Sequence, residues 1–166
     1  MKIYGVTGWK NTGKTGLVER LVTQIVRRGL TVSTVKHAHH DTETDHPGRD
    51  SFRHRAAGAT EVMLSSPLRW ALMHELRDTP EPPLTELLAR LSPVDLVLIE
   101  GYKAADHPKI ETHRAATGCK VLAGSNPTIR AVASDTALEG LLQPVFHLDD
   151  TTAIADFILT DLGLSP

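Results

Sequence analysis

The sequence predicts an α/β fold with a mainly parallel, doubly wound central sheet, and three features support this prediction. A strand-like run at residues 2–6 leads into a glycine-containing turn and then into a helical pattern. A second strand-like run, residues 31–36, follows that helix. A third, residues 94–101, is almost continuously apolar, as expected of a strand buried on both faces. This β-loop-α-β order is the unit from which parallel sheets are built.

Apolar residues at helical spacing indicate the first helix. Leu17, Leu21 and Ile25 recur every fourth residue, so they form one stripe on a helix of about three to four turns. Arg27 and Arg28 place cations at the negative end of the helix dipole, and Gly29 suits a left-handed cap. The run at residues 31–36 is rich in β-branched side chains, which favours a strand.

The middle of the chain carries shorter patterns. A short helix is expected at residues 51–58, followed by two strands, Glu61–Ser65 and Trp70–His74, with a turn at Ser66 and Pro67. Prolines at positions 80, 82 and 83 interrupt the chain before a leucine-rich helix at about residues 84–91.

The last third predicts weaker strands and one clear helix. Strand candidates lie at residues 109–112, 120–123 and 129–133. The final helix runs from about Thr151 to Leu162, with Asp149 or Asp150 as its N-cap and Gly163 as its stop.

Length and composition indicate one domain with a hydrophobic core, over residues 1–166. Hydrophobic residues make up 40% of the chain and charged residues 23%, which are ordinary globular values. The net charge of -2 gives no electrostatic reason to expect a nucleic-acid or membrane partner. Cys119 has no second cysteine to pair with, and the N-terminus lacks a signal-peptide pattern. We therefore expect a cytoplasmic protein.

The turn after the first strand carries the most specific motif. Residues 8–15 read G-x-x-x-x-G-K-T, the pattern of a phosphate-binding loop, here called the P-loop. Its glycines let backbone N–H groups point inward, Lys14 can reach terminal phosphates, and the Thr15 hydroxyl can ligate Mg²⁺. The following helix directs its positive end at the same phosphates. We predict a three-layer P-loop NTPase fold that binds a nucleoside triphosphate through Gly8, Trp9, Lys10, Asn11, Thr12, Gly13, Lys14, Thr15 and Gly16.

Glu100 is the second predicted site residue, and with Lys14 and Thr15 it forms the predicted catalytic group. It ends an apolar strand, and open α/β sheets bind ligands at the carboxyl ends of their strands. A carboxylate there can hold a Mg²⁺-bound water beside Thr15. Asp95 opens the same strand, on the order of 16 Å away at about 3.3 Å per residue. The alternative is that Glu100 caps the strand and pairs with Lys103.

Residues 37–50 form a polar segment without periodicity that should overhang the phosphates. Its histidines and acids suit a transition-metal site, although the segment has no cysteine and no helical spacing. The alternatives are a solvated loop and a switch-like loop that touches the γ-phosphate, Mg²⁺ or a second substrate. Asp45 is the candidate for an outer Mg²⁺ contact. Among Arg49, Arg53 and Arg55, one could contact a phosphate, or all could form a solvated helix face.

Base selectivity is weakly encoded. The N-K-x-D signature of guanine-specific GTPases is absent from the sequence. Ser134 and Asp135 end a strand on the ligand edge, where a carboxylate could accept hydrogen bonds from guanine N1 and N2. The alternative is that Asp135 is the N-cap of the following turn.

Several ordered blocks resemble the molybdopterin-guanine dinucleotide biosynthesis protein B family. Besides the P-loop, they lie at residues 35–40, 45–59, 98–103, 108–114 and 131–135. The resemblance implies a P-loop GTPase-like homodimer that binds Mg·GTP and hydrolyses it weakly. It also implies an adaptor role toward the guanylyltransferase that attaches GMP to the molybdenum–pterin cofactor.

Carried onto this chain, the resemblance makes residues 36–51 part of a nucleotide or cofactor groove. Positions that could hold an anionic pterin or a partner are His37, His40, Arg49, Arg53, Lys103, Lys109 and Arg114. The chain departs from the family pattern at Gly16, where a second threonine is usual, and at Lys10, an extra charge in the loop.

Other functional classes compete with the adaptor reading. A slow NTPase would hydrolyse nucleotide as its main task. A small-molecule kinase should carry an arginine-rich lid, which the proline-rich stretch at residues 80–83 does not resemble. The hypothesis of a metallochaperone NTPase is supported only by the histidines of residues 37–46.

Overall fold

The computed structural model of the protein describes residues 1–38 and 45–164, which group into two compact units. The first unit contains residues 1–38 and the chain from residue 92 onward. The described part of the second unit is residues 45–91. The P-loop and Glu100 belong to the first unit. The single domain over residues 1–166 stays a prediction.

The elements follow one another as β1 (Lys2–Thr7), α1 (Lys14–Arg27), β2 (Val32–Lys36), α2 (Asp50–Ala56), β3 (Glu61–Ser65), β4 (Trp70–His74), α3 (Leu84–Ala89), β5 (Leu96–Glu100), β6 (Lys109–His113), β7 (Ile129–Ser134), β8 (Val145–His147) and α4 (Thr151–Leu162), with a 3-10 turn at Ala115–Thr117. Two strand predictions, Glu61–Ser65 and Trp70–His74, and the last helix are confirmed at the same bounds. The three-residue strand β8 was not predicted from the sequence.

The first unit is built on a parallel sheet, which confirms the predicted fold class. Its six strands lie in the order β2-β5-β1-β6-β7-β8, and each neighbouring pair is parallel. The strand β5 lies between β1 and β2, and all its residues are buried. Its central place explains the continuous apolar run, because both faces and both edges are covered. The carboxyl ends of β1, β2 and β5 therefore meet at one edge.

Helices α1 and α4 cover one face of this sheet. Leu17, Leu21 and Ile25 of α1 are fully buried with Ile154 and Ile158 of α4. The predicted apolar stripe of α1 thus faces the core. The N-cap of α4 is Asp150, whose Oδ1 accepts a hydrogen bond from Ala153 N at 3.1 Å.

A loop rather than a strand lies across the other face, so the strand predicted at residues 120–123 is wrong. The side chain of Val132 points to this face, where it packs with Ala123. The amides of Leu122 and Ala123 donate to the carboxylate of Glu111, at 2.8–2.9 Å. Because these amides donate to the Glu111 side chain, they do not form backbone hydrogen bonds with a neighbouring strand. Glu111 is fully buried, and burial raises the pKa of its carboxyl group.

The second unit contains an antiparallel hairpin, β3–β4, with the short helices α2 and α3. Val62 of β3 is opposite Met73 of β4 and is buried. Arg55 of α2 donates from Nε to Glu75 Oε1 at 2.6 Å, which connects the helix to the end of the hairpin. None of the helices among the described residues has the length and apolar character needed to cross a membrane.

Candidate functional site

Three residues of the P-loop have positive φ angles, which give the loop its tight curl. Gly8 has φ 139°, Asn11 66° and Gly13 95°. At Gly8 a glycine is required, because a Cβ there would lie 2.5 Å from the backbone oxygen of Thr112. The asparagine at position 11 belongs to the residue types that tolerate the left-handed region.

Two threonines hold the loop against the sheet. The Thr12 hydroxyl donates to the backbone oxygen of Trp9 at 2.8 Å, and it lies 2.7 Å from the hydroxyl of Thr112. Thr112 Oγ1 also lies 3.2 Å from the backbone oxygen of Thr7, at the end of β1. Both threonines are buried. Thr112 was not predicted as a site residue from the sequence, because its contact with the loop depends on β6 lying beside β1.

Helix α1 begins directly at the loop, with Gly13 as its N-cap and Lys14 as its first residue. The first turn contains no acidic side chain, so nothing in that turn neutralises the positive end of the helix dipole. Backbone N–H groups at a helix start have no partner within the helix and point outward. This geometry favours an anion in front of the loop.

The ammonium of Lys14 bends back over the loop and donates to the backbone oxygen of Trp9 at 2.6 Å. Burial lowers the pKa of this ammonium, Lys103 and Lys36 lower it further, and the charge of Glu100 raises it. A phosphate would offer Lys14 a charged acceptor in place of a neutral carbonyl. Binding of an anion would therefore stabilise the charged form of Lys14.

Thr15 and Glu100 come together as predicted. The Thr15 hydroxyl donates to Glu100 Oε1 at 2.8 Å, and the Glu100 side chain is 11% exposed. Glu100 is the last residue of β5, and Val6 at the end of β1 is its neighbour in register. A hydroxyl and a carboxylate oxygen beside a phosphate-binding loop are the hard oxygen ligands that Mg²⁺ takes. The donor set therefore fits a magnesium ion.

Lys36 is a third member of this cluster; the resemblance includes it in the segment 36–51, but no contact with Thr15 or Glu100 was predicted for it. It lies directly opposite Glu100 in the β2–β5 pair. Its Nζ is 3.3 Å from Thr15 Oγ1 and 3.4 Å from Glu100 Oε1. The contact follows from strand order and register, which the sequence does not reveal.

Further cations border the loop. Arg114 lies beside Gly13, since a Cβ at Gly13 would be 3.3 Å from its Nε. Lys103 places its ammonium over the Trp9 ring, 4.1 Å from the centroid. An open cleft of about 430 Å³ in front of the loop is lined by Asn11, Gly13, Lys14, Thr15, Gly16, Glu100 and Arg114. The alternative that Glu100 pairs with Lys103 is not what the structure shows, because Lys36 takes that place.

The prediction that Lys109 contacts an anionic ligand needs correction. Lys109 is fully buried, and its ammonium donates to the backbone oxygens of Ala105 and His107 and to the Thr128 hydroxyl. These acceptors satisfy the three N–H donors of an ammonium. Lys109 therefore has a structural role in joining β6 to the neighbouring loops.

The predicted base-reading pair also needs a partial correction. The Ser134 hydroxyl is buried, 3.1 Å from His113 Nδ1, and accepts from Thr136 N at 3.2 Å, so its side chain serves the fold. Asp135 follows β7 at the ligand edge and accepts from Ala115 N at 2.9 Å. This contact differs from the predicted N-cap of the turn that follows Asp135. Its role toward a base stays a prediction.

The remaining candidates are divided between the units. His37 is in the first unit, where its ring stacks on Tyr102 with centroids 4.5 Å apart. Asp45, Arg49 and Arg53 are in the second unit. Their predicted contacts with Mg²⁺, phosphate or pterin stay predictions.

Each of these three residues has a described position. The Asp45 carboxylate is 3.8 Å from Arg55 Nη1. Arg49 occupies the N-cap position of α2. Arg53 Nη1 is 3.7 Å from Asp50 Oδ1 on the exposed side of that helix.

The predicted transition-metal site lies mostly in residues 39–44, outside the described residues, and His40 is among them. Within residues 1–38 and 45–164 no group of three or more His, Cys, Asp or Glu side chains could hold a metal ion. The metal reading of this segment stays a prediction.

Comparison with known proteins gives a consistent result. The family model described as "Molybdopterin guanine dinucleotide synthesis protein B" matches residues 3–135. A molybdopterin-guanine dinucleotide biosynthesis adapter protein of Haemophilus influenzae is 37% identical over 159 residues, covering 94% of this chain and 86% of the relative. The adapter protein of Escherichia coli is 38% identical over 155 residues, covering 91% and 87%.

Solved structures agree with the sequence comparisons. Bacillus subtilis MobB superposes with a TM-score of 0.76 at 29% identity, covering 98% of each chain. A MobB homologue from Bacillus stearothermophilus superposes with a TM-score of 0.71 at 30% identity, covering 98% of this chain and 99% of the other.

Proposed function

Since this chain belongs to the molybdopterin guanine dinucleotide synthesis protein B family, we propose that it is a Mg²⁺- and GTP-binding adapter in molybdopterin guanine dinucleotide biosynthesis. The observation that carries the nucleotide part is the contact between Thr15 and Glu100 at 2.8 Å in front of the P-loop. Two hard oxygen ligands from distant parts of the chain meet where a triphosphate would place its charge. The relatives are themselves named adapter proteins.

The P-loop would bind the phosphates through its backbone N–H groups and the start of α1. Lys14 would exchange the Trp9 carbonyl for phosphate oxygens, and Arg114 at Gly13 would add a second cation. Thr15 and Glu100 would hold Mg²⁺, whose charge would offset that of the phosphates. Because these contacts to phosphate and Mg²⁺ form only when the triphosphate is bound, they would couple nucleotide binding to the conformation of the P-loop.

Hydrolysis would be slow in this protein. Thr15 and Glu100 serve the metal, and Lys14 serves the phosphates, so none of them is placed as a base for an attacking water. Since none of these three residues orients water and no other described residue is assigned that role, we expect turnover far below the typical enzyme range of about 1–1,000 s⁻¹. The nucleotide would then act mainly as a signal that controls binding of the guanylyltransferase and of the molybdopterin cofactor.

The preference for guanine would come from Asp135. Its carboxylate is at the carboxyl end of β7, the edge at which α/β sheets bind ligands. A carboxylate can accept from the N1 and N2 groups of guanine together, whereas adenine offers no such donor pair. The contact of Oδ1 with Ala115 N holds this carboxylate in place.

The second unit would form the surface between two copies of the chain. Its hairpin leaves five large apolar side chains exposed, at 41% to 89% of their area: Met63, Leu64, Leu68, Trp70 and Leu72. A cavity of about 730 Å³ beside it is lined by Trp70, Leu72, Leu76 and prolines of residues 80–83, together with charged side chains such as Glu86 and Arg90. Apolar surface of this extent is typical of a protein–protein contact. A homodimer would remove it from water.

Calorimetry with non-hydrolysable GTP and ATP analogues, with and without Mg²⁺, tests the nucleotide part. We expect Mg²⁺-dependent binding of the GTP analogue at least about tenfold tighter than the ATP analogue, or about 1.4 kcal/mol. Equal affinity, or a preference for ATP, would contradict the guanine assignment and favour a kinase or ATPase. Absence of binding to both would contradict the nucleotide role altogether.

A further inference from the structure

The ammonium of Lys36 lies where two magnesium ligands meet. It is 3.3 Å from Thr15 Oγ1 and 3.4 Å from Glu100 Oε1, while those two oxygens are 2.8 Å apart. One positive charge thus interacts with both members of the pair. The neighbouring register positions of Lys36 and Glu100 in β2 and β5 bring the ammonium there.

An ammonium and a divalent cation compete for the same oxygen atoms. Glu100 is a mostly buried carboxylate, and a buried charge without a partner is costly. Lys36 supplies that partner. A metal ion on the same oxygens would bring two like-signed cations within a few ångströms of each other, where they repel strongly. The ammonium must therefore leave when the metal arrives.

We propose that Lys36 holds the Thr15–Glu100 pair in the nucleotide-free protein, exchanges with the divalent cation, and then contacts the terminal phosphate of the bound nucleotide. The inference rests on the proposed function for its last step, because that step needs a triphosphate in front of the P-loop. It makes Lys36 a further phosphate-binding residue at the end of β2.

The side chain of Lys36 has room for this movement. It is 58% exposed, and an open groove of about 540 Å³ is lined by Thr15, Val18, Thr34, Lys36 and Glu100, with four neighbours. Lys36 is also one of the charges that act on the Lys14 ammonium. An anion that contacts both ammonium groups would offset the repulsion between them. The terminal phosphate is the anion expected there.

The exchange is tested without nucleotide, with Mn²⁺ as a probe for the divalent site. Free Mn²⁺ is measured by electron paramagnetic resonance during titration of the full-length wild type, Lys36→Met and Lys103→Met. Both variants lose one charge from the same unit, but only Lys36 contacts Thr15 and Glu100. We expect about tenfold tighter Mn²⁺ binding in Lys36→Met and less than about threefold in Lys103→Met, since the latter reports only the long-range field.

Equal effects of the two substitutions, or unchanged Mn²⁺ binding in Lys36→Met, would overturn the exchange. If Lys36→Met does not fold, Lys36→Gln removes the same charge and replaces it in the titration. Thermal unfolding of each variant is recorded beforehand to establish that it is folded.

The phosphate step is tested by the affinities for GDP and for a non-hydrolysable GTP analogue, both with Mg²⁺. We expect Lys36→Met to lose about tenfold of the preference for the triphosphate, with affinity for the diphosphate changed less than about twofold. An unchanged ratio would overturn this step. A wild type that binds neither nucleotide would contradict the proposed function instead, while the Mn²⁺ titration would still decide the exchange.

Discussion

The P-loop edge of the first unit buries polar side chains, whereas the hairpin of the second unit exposes apolar side chains. At the P-loop edge three polar residues are buried and hydrogen-bonded: as whole residues, Thr112 is fully buried, Thr12 is 1% exposed and Glu100 is 8% exposed. On the hairpin apolar groups are exposed, with Leu68 at 89% and Trp70 at 64%. Buried polar networks preorganise contacts for a small charged ligand, whereas exposed apolar groups favour a large apolar partner.

This contrast shows which parts of the sequence determine each kind of binding surface. The P-loop edge draws its residues from β1, β5, β6 and α1, so its geometry depends on the sheet. The hairpin draws its apolar residues from two neighbouring strands, so its surface depends on local sequence. Substitutions at the first place should change ligand affinity or the free energy of unfolding, and substitutions at the second should change association.

The largest effect is expected from Lys14→Ala, which removes the ammonium that faces the terminal phosphates. Loss of a charged contact to phosphate should weaken triphosphate binding at least about a hundredfold, near 3 kcal/mol, with the fold intact. Calorimetry measures the affinity and circular dichroism the fold. Lys2→Ala is the control, because the exposed Lys2 begins β1, at the end of the strand away from the loop. Wild-type affinity in Lys14→Ala would break the assignment of this loop to phosphate.

Gly8→Ala should destabilise the protein by about 2–3 kcal/mol. The added Cβ would lie 2.5 Å from the Thr112 backbone oxygen, at a φ of 139° that alanine avoids. Urea unfolding followed by circular dichroism gives the free energy of unfolding. Gly16→Ala is the matched control, since its Cβ would meet only Arg20 Nη1 at 3.6 Å and a helical alanine is favoured. Equal stability of both variants would contradict the packing of Gly8 against Thr112.

The stability of the protein should fall between pH 6.5 and pH 4 through His107. Burial, and then the charge of Lys109, lower the pKa of His107 to about 4, while Asp106 opposes them. The unfolded chain therefore takes up the proton first as the pH falls, so the stabilisation is complete above about pH 6.5 and decreases below it.

Urea unfolding at pH 7 and pH 4.5 measures this contribution in the wild type and in His107→Asn. The wild type should lose about 2–3 kcal/mol more than the variant between the two pH values. Other titrating groups act equally in both proteins, so the difference isolates His107. Parallel losses would show that His107 is not held in its neutral form.

Trp70→Glu should weaken self-association of the chain by about 2 kcal/mol, which is roughly thirtyfold, because it places a charge on the apolar hairpin. Sedimentation velocity over a concentration series measures the dimer fraction. Leu142→Glu is the control, since Leu142 is fully exposed in the first unit. A dimer that persists in Trp70→Glu, or a wild type that stays monomeric, would contradict the assignment of the hairpin to a homodimer surface.

The smallest effect is expected from Glu100→Gln. The amide keeps the shape and can still accept from Thr15 Oγ1, but it loses the charge that binds Mg²⁺. The concentration of Mg²⁺ needed for half-maximal binding of the GTP analogue should rise about tenfold, near 1.4 kcal/mol. Asp95→Asn is the control, because Asp95 precedes β5 and its carboxylate accepts from Thr31 instead. An unchanged Mg²⁺ requirement would leave Glu100 with a structural role alone.

Local patterns predicted much of the fold. The helix α1 follows from the spacing of Leu17, Leu21 and Ile25, and the hairpin strands follow from two β-rich runs around a short turn. These patterns extend over a few neighbouring residues, so they predict a helix or strand without information about the rest of the chain. The strand expected at residues 120–123 failed because Glu111, from another element, takes the amides of Leu122 and Ala123.

The sequence by itself determined the P-loop and the place of Glu100 at the end of a buried strand, because each is encoded by neighbouring residues, and it determined the family through ordered blocks along the chain. Only the tertiary structure decided that Lys36 lies against Thr15 and Glu100, that Thr112 holds the loop, and that Lys109 is buried. The physical reason is that strand order and register place distant residues side by side, and no local spacing encodes them.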